Sequence, residues 1–194
     1  MRTRIHTITA LAAASLLALT ACSTGGETVS TKPKTSTSKG AKTEKKADTP
    51  PAEKEKVAAV GDTLTLKGME DGEQLDVTLK QWLPTAKPST EFDIPQDGKR
   101  WAAAQFELVN TGSKVYADSP QNGAKAADSK GQRFDSWFGE ISAGPAMSSD
   151  VSLPKGEKAL GWIVFEVPKD SKIVSVQFAM NSGFSNQTGQ WTVK

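Results

Sequence analysis

The sequence predicts an all-β domain, an antiparallel β-sandwich of about seven to eight strands, and three observations carry that prediction. Apolar residues alternate with polar ones in short runs throughout the second two-thirds of the chain. Turn residues punctuate those runs at short intervals. No window sustains the 3.6-residue apolar spacing that a helix needs to bury one face. A closed barrel is the alternative architecture for the same pattern.

The alternation starts after Val60. Leu64 and Leu66 alternate in 62–67, and Leu75, Val77 and Leu79 in 74–81, extending toward Trp82. Ala102, Ala104, Phe106 and Leu108 do so in 100–109. Gly161, Ile163, Phe165 and Val167 follow in 159–167, then Val174, Val176, Phe178 and Met180 in 172–180. A period of two places each set on one face of a strand. Between the runs lie Asp71-Gly72, Asp97-Gly98, Asn110-Thr111-Gly112, Asn122-Gly123, Lys130-Gly131 and Asn181-Ser182-Gly183, residues that supply positive φ or cap the chain. Pro154 and Pro168 bracket one strand, as expected of a residue excluded from a ladder interior. The alanine-containing stretch 122–130 has room for at most a short turn of helix.

The first residues carry an address. Arg2 and Arg4 precede a twelve-residue apolar run, Ile8–Leu19, and small residues follow it. These are the three parts of an export signal. As a helix, twelve residues span roughly 18 Å, too short for a hydrocarbon core of about 30 Å. Leu19, Thr20 and Ala21 before Cys22, the only cysteine, resemble the lipobox of bacterial lipoproteins. That resemblance implies diacylglyceryl transfer to the Cys22 thiol, cleavage before it, and anchoring at the extracytoplasmic face of the cell membrane. Residues 1–21 are then the signal peptide, 22–57 a disordered tether, and 58–194 the folded domain.

The tether reading rests on composition. Residues 23–57 hold eight lysines against five acids, no aromatics, and little apolar surface to offset the entropy of ordering. Its mean reach as a coil is on the order of 30–35 Å. The remaining segment holds 14 bases and 17 acids, so nothing marks a nucleic-acid footprint.

Composition also excludes chemistry. His6 is the only histidine and lies in the signal segment. Cleavage and lipidation leave a chain with neither imidazole nor free thiol. Ser-His-Asp and Cys-His catalysis, and zinc held by His or Cys, are thereby excluded. The expectation is a non-catalytic module without cofactor. Ser36-Thr37-Ser38-Lys39 and Ser152-Leu153-Pro154-Lys155 match S-x-x-K formally, but the first lies in the tether and the second is read as a turn entering a strand. Glu70, Asp71, Glu73, Asp93, Asp97, Asp118, Asp128 and Asp135 are the acids weighed for calcium or glycoside hydrolysis. Each sits in or near an expected turn, where solvation explains it, and no metal site is expected.

Three stretches resemble a known family: Leu108-Val109-Asn110-Thr111-Gly112, Asp128-Ser129-Lys130-Gly131-Gln132-Arg133-Phe134, and the run from Leu153-Pro154-Lys155-Gly156-Glu157 through Gly161-Trp162-Ile163-Val164-Phe165-Glu166-Val167-Pro168. They are similar to the immunoglobulin-like domain of unknown function found on Gram-positive lipoproteins and secreted proteins, grouped structurally with a mycobacterial secreted antigen. The resemblance covers about Val60 to Val193. It implies an immunoglobulin-like sandwich without a disulfide and brings no catalytic or binding residues.

Candidate binding residues come from aromatics outside the core pattern. Trp101 and Trp162 lie out of phase with the core-facing positions of their strands, so each belongs on an outer face or over an edge. Trp137 and Phe138 sit where the strand signal fades. They form either a stacking platform or, as the more economical reading, a plug closing one end of the core. The long loop Pro84–Lys99 carries Phe92 and Ile94, which either present a binding surface or pin the loop to the core. The partners expected are the membrane through Cys22 and a cell-envelope protein or wall polymer.

Overall fold

The computed structural model describes residues 57–194 and the backbone of Ser30–Lys32. Twelve strands follow one another: β1 (Ser30–Lys32), β2 (Ala58–Ala59), β3 (Thr63–Lys67), β4 (Gln74–Leu83), β5 (Lys99–Asn110), β6 (Tyr116–Asp118), β7 (Ala124–Asp128), β8 (Arg133–Trp137), β9 (Val151–Leu153), β10 (Lys158–Pro168), β11 (Ile173–Ala179) and β12 (Thr188–Thr192). Eight of them reach five residues or more, matching the strand number expected from the alternation. Among the described residues the helical elements are two 3₁₀ turns, Pro120–Gly123 and Asn181–Gly183.

The hydrogen-bonded order is β1-β3-β4-β5-β10-β8-β7-β11-β12-β2, with β6 and β9 paired separately. β8 is the corner of this arrangement. It pairs with β10 at Trp137 and Ser136, and with β7 at Asp135, Phe134 and Arg133. One layer, β3-β4-β5-β10, thus passes through β8 into the other, β7-β11-β12. Along the opposite side no ladder joins the described β3 and β12. Side chains cross that seam instead: the Trp191 indole N–H donates to the Asp62 carbonyl (3.0 Å), and the Lys67 N–H donates to Gln187 Oε1 (2.7 Å). The result is a β-sandwich whose backbone ladder is continuous around one side only.

The core fills the space between the layers with the residues that the alternation picks out. Leu66, Leu75, Val77, Leu79, Phe106, Leu108, Ile163, Phe165, Val176 and Phe178 are all buried there. Phe106 meets Phe178 across the layers at 5.5 Å and Trp191 at 5.7 Å between ring centroids. The stretch 122–130 departs from the sequence reading. Only Pro120–Gly123 turns helically, and Ala124–Asp128 is a strand. Pairing with β11 puts Ala124 and Ala126 into the core opposite Phe178 and Val176. The helix preference of alanine yields there to burial on a sheet.

Asn110, at the end of β5, holds one end of the sandwich. It is 1% exposed. Its Nδ2 donates to the carbonyls of Lys114 and Leu153, both at 2.7 Å, and its Oδ1 accepts from Gly112 N–H at 2.9 Å. Its backbone N–H donates to Glu157 O and its carbonyl accepts from Gly156 N–H. Three segments meet on this one amide. Gly112 is needed beside it because a Cβ would run into the Gly72 carbonyl and lie 2.7 Å from Gln74 N. Asn110→Ala should cost about 1–3 kcal/mol, since the buried Leu153 carbonyl and the part-buried Lys114 carbonyl lose this donor, while Gly112 N–H keeps the Gln74 carbonyl. Chemical denaturation checks this: the midpoint should fall while the slope stays that of a folded sandwich.

Candidate functional site

The central strands β5 and β10 are buried on both faces over 101–104 and 161–165. Their inner residues enter the main core, and Trp101, Ala103, Trp162 and Val164 form a second buried cluster outside it with Ala86 and Ile141. Trp101 and Trp162 therefore lie on an outer face, as their phase predicts, but two loops cover them. The Pro84–Lys99 loop is tied down by Ala86 N–H to Trp101 O (2.8 Å) and Ser89 N–H to Glu140 O (2.9 Å). The 138–150 segment is tied by Ser142 N–H to Lys87 O (2.9 Å) and Met147 N–H to Trp162 O (2.8 Å). Two glycines allow this crossing. A Cβ on Gly161 would strike the Met147 backbone, and one on Gly139 would lie 2.7 Å from the Trp101 ring.

Beside the covered cluster lies an open cleft of about 350 Å³, lined by Trp137, Phe138, Trp162, Val164, Asp93 and Glu140, with Gln121 beneath. Phe138 is 75% exposed and Trp137 38%. They do not close the core. Phe134 packs against the core, so the period of two along β8 sends Trp137 outward with Arg133 and Asp135. In the facing loop, Phe92 is 90% exposed and Ile94 62%, so neither pins the loop. Asp93 between them lines the cleft and accepts from the Glu140 N–H at 3.3 Å. All four expected surface residues are thus exposed, Trp137 at the end of β8 and the other three on two loops that pair with each other, Pro88 bridging to Ile141.

The floor of the cleft was partly missed in the sequence. Trp162 lines it while its indole N–H is buried without a hydrogen-bond partner; the Trp101 indole N–H is likewise unpartnered. Gln121 donates from Nε2 to Met147 O (2.8 Å), fixing the loop beneath the aromatic pair. The out-of-phase position of Trp162 was the available signal. Chemically, the cleft offers ring faces for stacking and the carboxylates of Asp93 and Glu140 at its side. Such a surface suits an uncharged or basic ligand with a flat apolar face.

The other acids disperse over turns. Glu70, Asp71 and Glu73 lie on the 68–73 turn, and Lys114 Nζ meets Glu70 Oε2 at 2.7 Å, holding that exposed carboxyl below its usual range. Asp128 Oδ1 accepts from Lys130 and Gln132 N–H, each at 2.9 Å, which makes the Asp128–Gly131 turn. Among the described residues no three His, Cys, Asp or Glu side chains group so as to hold a metal ion. Ser152 stands exposed on β9, paired with Ala117. Leu19, Thr20, Ala21 and Cys22 lie outside the described residues.

Asp118 organises the end of the domain near the 68–73 turn. Its carboxylate accepts from Ser182 N–H (2.9 Å), Ser182 Oγ (2.7 Å), Ser119 N–H (2.7 Å) and, at 3.3 Å, the Tyr116 hydroxyl. These bonds hold a strained turn in which Asn181 and Ser182 both have φ 54° and Gly183 has φ 90°. Burial, together with the Asp118 charge, pushes the Tyr116 hydroxyl far above the usual tyrosine value. A phenol raised in this way favours the folded state below its unfolded pKa of about 10, and that contribution is lost as pH rises beyond it. Tyr116 is the only tyrosine in the chain, so a spectrophotometric titration reads it alone. No phenolate absorbance should develop near pH 10–11 until the domain unfolds. A reversible phenolate signal near pH 10 in the folded protein would contradict the buried contact.

No curated protein sequence matches the chain. Among solved structures it is similar to MPT63, a secreted protein from Mycobacterium tuberculosis, at 18% identity and a TM-score of 0.50, covering 73% of this chain and 100% of that one. The yjhA protein from Bacillus subtilis gives 12% identity and a TM-score of 0.50, covering 71% and 100%. A candidate lipoprotein of Bacillus subtilis, ycdA, gives 11% identity and a TM-score of 0.48 over 64% of this chain. Only 39% of ycdA is spanned. At these identities the first two likenesses speak to the fold. A family model matches residues 68–189, from the turn after β3 into β12, and the chain belongs to that family, a domain of unknown function designated DUF4352.

Proposed function

We propose that the chain is a lipid-anchored extracytoplasmic binding module, non-catalytic, whose ligand docks in the aromatic cleft. The observation that carries this reading is the joint exposure of Trp137 and Phe138 beside Phe92 and Ile94, on a scaffold that buries its other tryptophans in whole or in part. Large exposed apolar residues set around a cleft mark interaction sites more often than chance surface. Trp137 ends β8, which pairs with β10, and the loop carrying Phe92 and Ile94 is bonded to β5 at Trp101, so the surface is preorganised. The Asp93 and Glu140 carboxylates favour a neutral or basic ligand, such as a sugar ring of a wall polymer or a segment of an envelope protein.

Support for the anchor is the run Leu19-Thr20-Ala21-Cys22 behind a short apolar core and two arginines. Two acyl chains are needed for stable retention, since one gives only marginal binding. Loss of the imidazole and thiol on maturation supports the non-catalytic reading.

Two experiments test these statements separately. In cells, Cys22→Ala should move the protein from the membrane fraction to the soluble extracytoplasmic fraction; retention at the wild-type level would remove the lipid anchor from the reading. In pull-downs from cell envelopes with detergent-solubilised full-length protein, Trp137→Ala should reduce capture of the bound component at least about tenfold, the scale of a lost aromatic hot spot. Equal capture by wild type and variant would place the binding surface elsewhere.

A further inference from the structure

The strand β3 lies at the edge of its layer, and the hydrogen-bond pattern shows which of its amides look outward. Gly68 N–H turns toward β4 and donates to Glu73 O, whereas Lys67 N–H turns away and donates to Gln187 Oε1. Backbone groups alternate in direction along an antiparallel strand. Thr63 and Thr65 therefore look outward with Lys67, while Leu64 and Leu66 look toward β4. Gln187 caps the Lys67 position. The remaining two positions are covered by β1, which places Lys32 opposite Thr63 and Ser30 opposite Thr65.

An open strand edge is a template for a further strand, and it must be covered or blunted. Here the cover comes from the segment between Cys22 and the domain. β1 has three residues, Ser30, Thr31 and Lys32, and none is apolar. Its attachment therefore rests on main-chain pairing, the hallmark of strand addition.

We propose that the Thr63–Lys67 edge is a strand-acceptor site that the chain's own Ser30–Lys32 segment fills reversibly. A three-residue pairing opens far more readily than the domain unfolds, because only a few main-chain bonds hold it. Docking changes the working length of the stalk. From Cys22 to Ser30 the chain can reach at most about 30 Å, and from Cys22 to Val57 at most about 120 Å. That consequence rests on the anchor reading, whereas the docking itself does not.

The test measures residue-resolved amide hydrogen exchange by NMR on the full-length chain in detergent, with two single substitutions. Lys32→Pro removes an N–H that faces β3. Thr31→Pro removes one that faces away from it. In the wild type, Thr63 and Thr65 amides should be protected. In Lys32→Pro their exchange should quicken at least about tenfold, while Leu64 and Leu66, bonded to β4, stay unchanged and report an intact domain. Thr31→Pro should keep most of the protection. Unprotected Thr63 and Thr65 in the wild type would overturn the proposal. So would protection that survives Lys32→Pro, or that is lost equally with Thr31→Pro. None of these readouts depends on Cys22, so failure here leaves the anchor reading to its own test.

Discussion

The pairing of β5 with β10, residue for residue from Lys99↔Pro168 to Val109↔Lys158, is the constraint on which the rest of the molecule depends. Over 101–104 and 161–165 it is buried on both faces. Ala102, Ala104, Phe106 and Leu108 look into the main core with Ile163, Phe165 and Val167, while Trp101, Ala103, Trp162 and Val164 build the second cluster behind them. Small residues on β5 leave room for the large ones on β10, so the ladder is packed like an interior on either side. The cleft thus lies beside the same rigid ladder that organises the core. Loops that carry recognition are normally mobile relative to their scaffold. Here two of them are bonded to each other and to the strands beneath.

How much of this was legible follows from the range of each interaction. Strand phase is local, and the core-facing residues of β3, β4, β5 and β10 could be read without knowing their partners, whereas Val174 is only half-buried and Ala124 and Ala126 enter the core through a pairing the sequence did not signal. The stretches carrying the family resemblance are also local signals, and the structure explains them as scaffold. Asn110 and Gly112 join three segments, Asp128 makes its own turn, Gly156 takes φ 87° in the turn before β10, and Gly161 lets a loop cross its strand. Such a motif identifies a fold and leaves the ligand unspecified. The exposure of Trp137 and Phe138 was not legible, because it depends on which way β8 faces and on where a loop some forty residues upstream comes to rest. β1 was not legible either. Ser-Thr-Lys has no apolar periodicity, and its pairing is written in backbone groups that every sequence shares.

The sandwich differs from two independent sheets in contact. Through β8 the ladder continues around one side, and along the other side Trp191, Asp62, Lys67 and Gln187 join the layers through side-chain bonds. The two sides resist separation by different means. Ladder bonds on the β8 side act cooperatively with their neighbours, whereas each bond across the seam stands apart and opens without disturbing the next. Two of the shortest strands, β1 and β2, flank this seam. It is the side where the chain enters the domain.

That entry has a direction. β1 runs antiparallel to β3, so its first residue, Ser30, lies toward the end bearing the 68–73 turn. The Pro84–Lys99 loop departs from the opposite end of β4. The domain is therefore a polarised object, with the Asp118 turn at one end and the loop carrying Phe92 and Ile94 departing from the other.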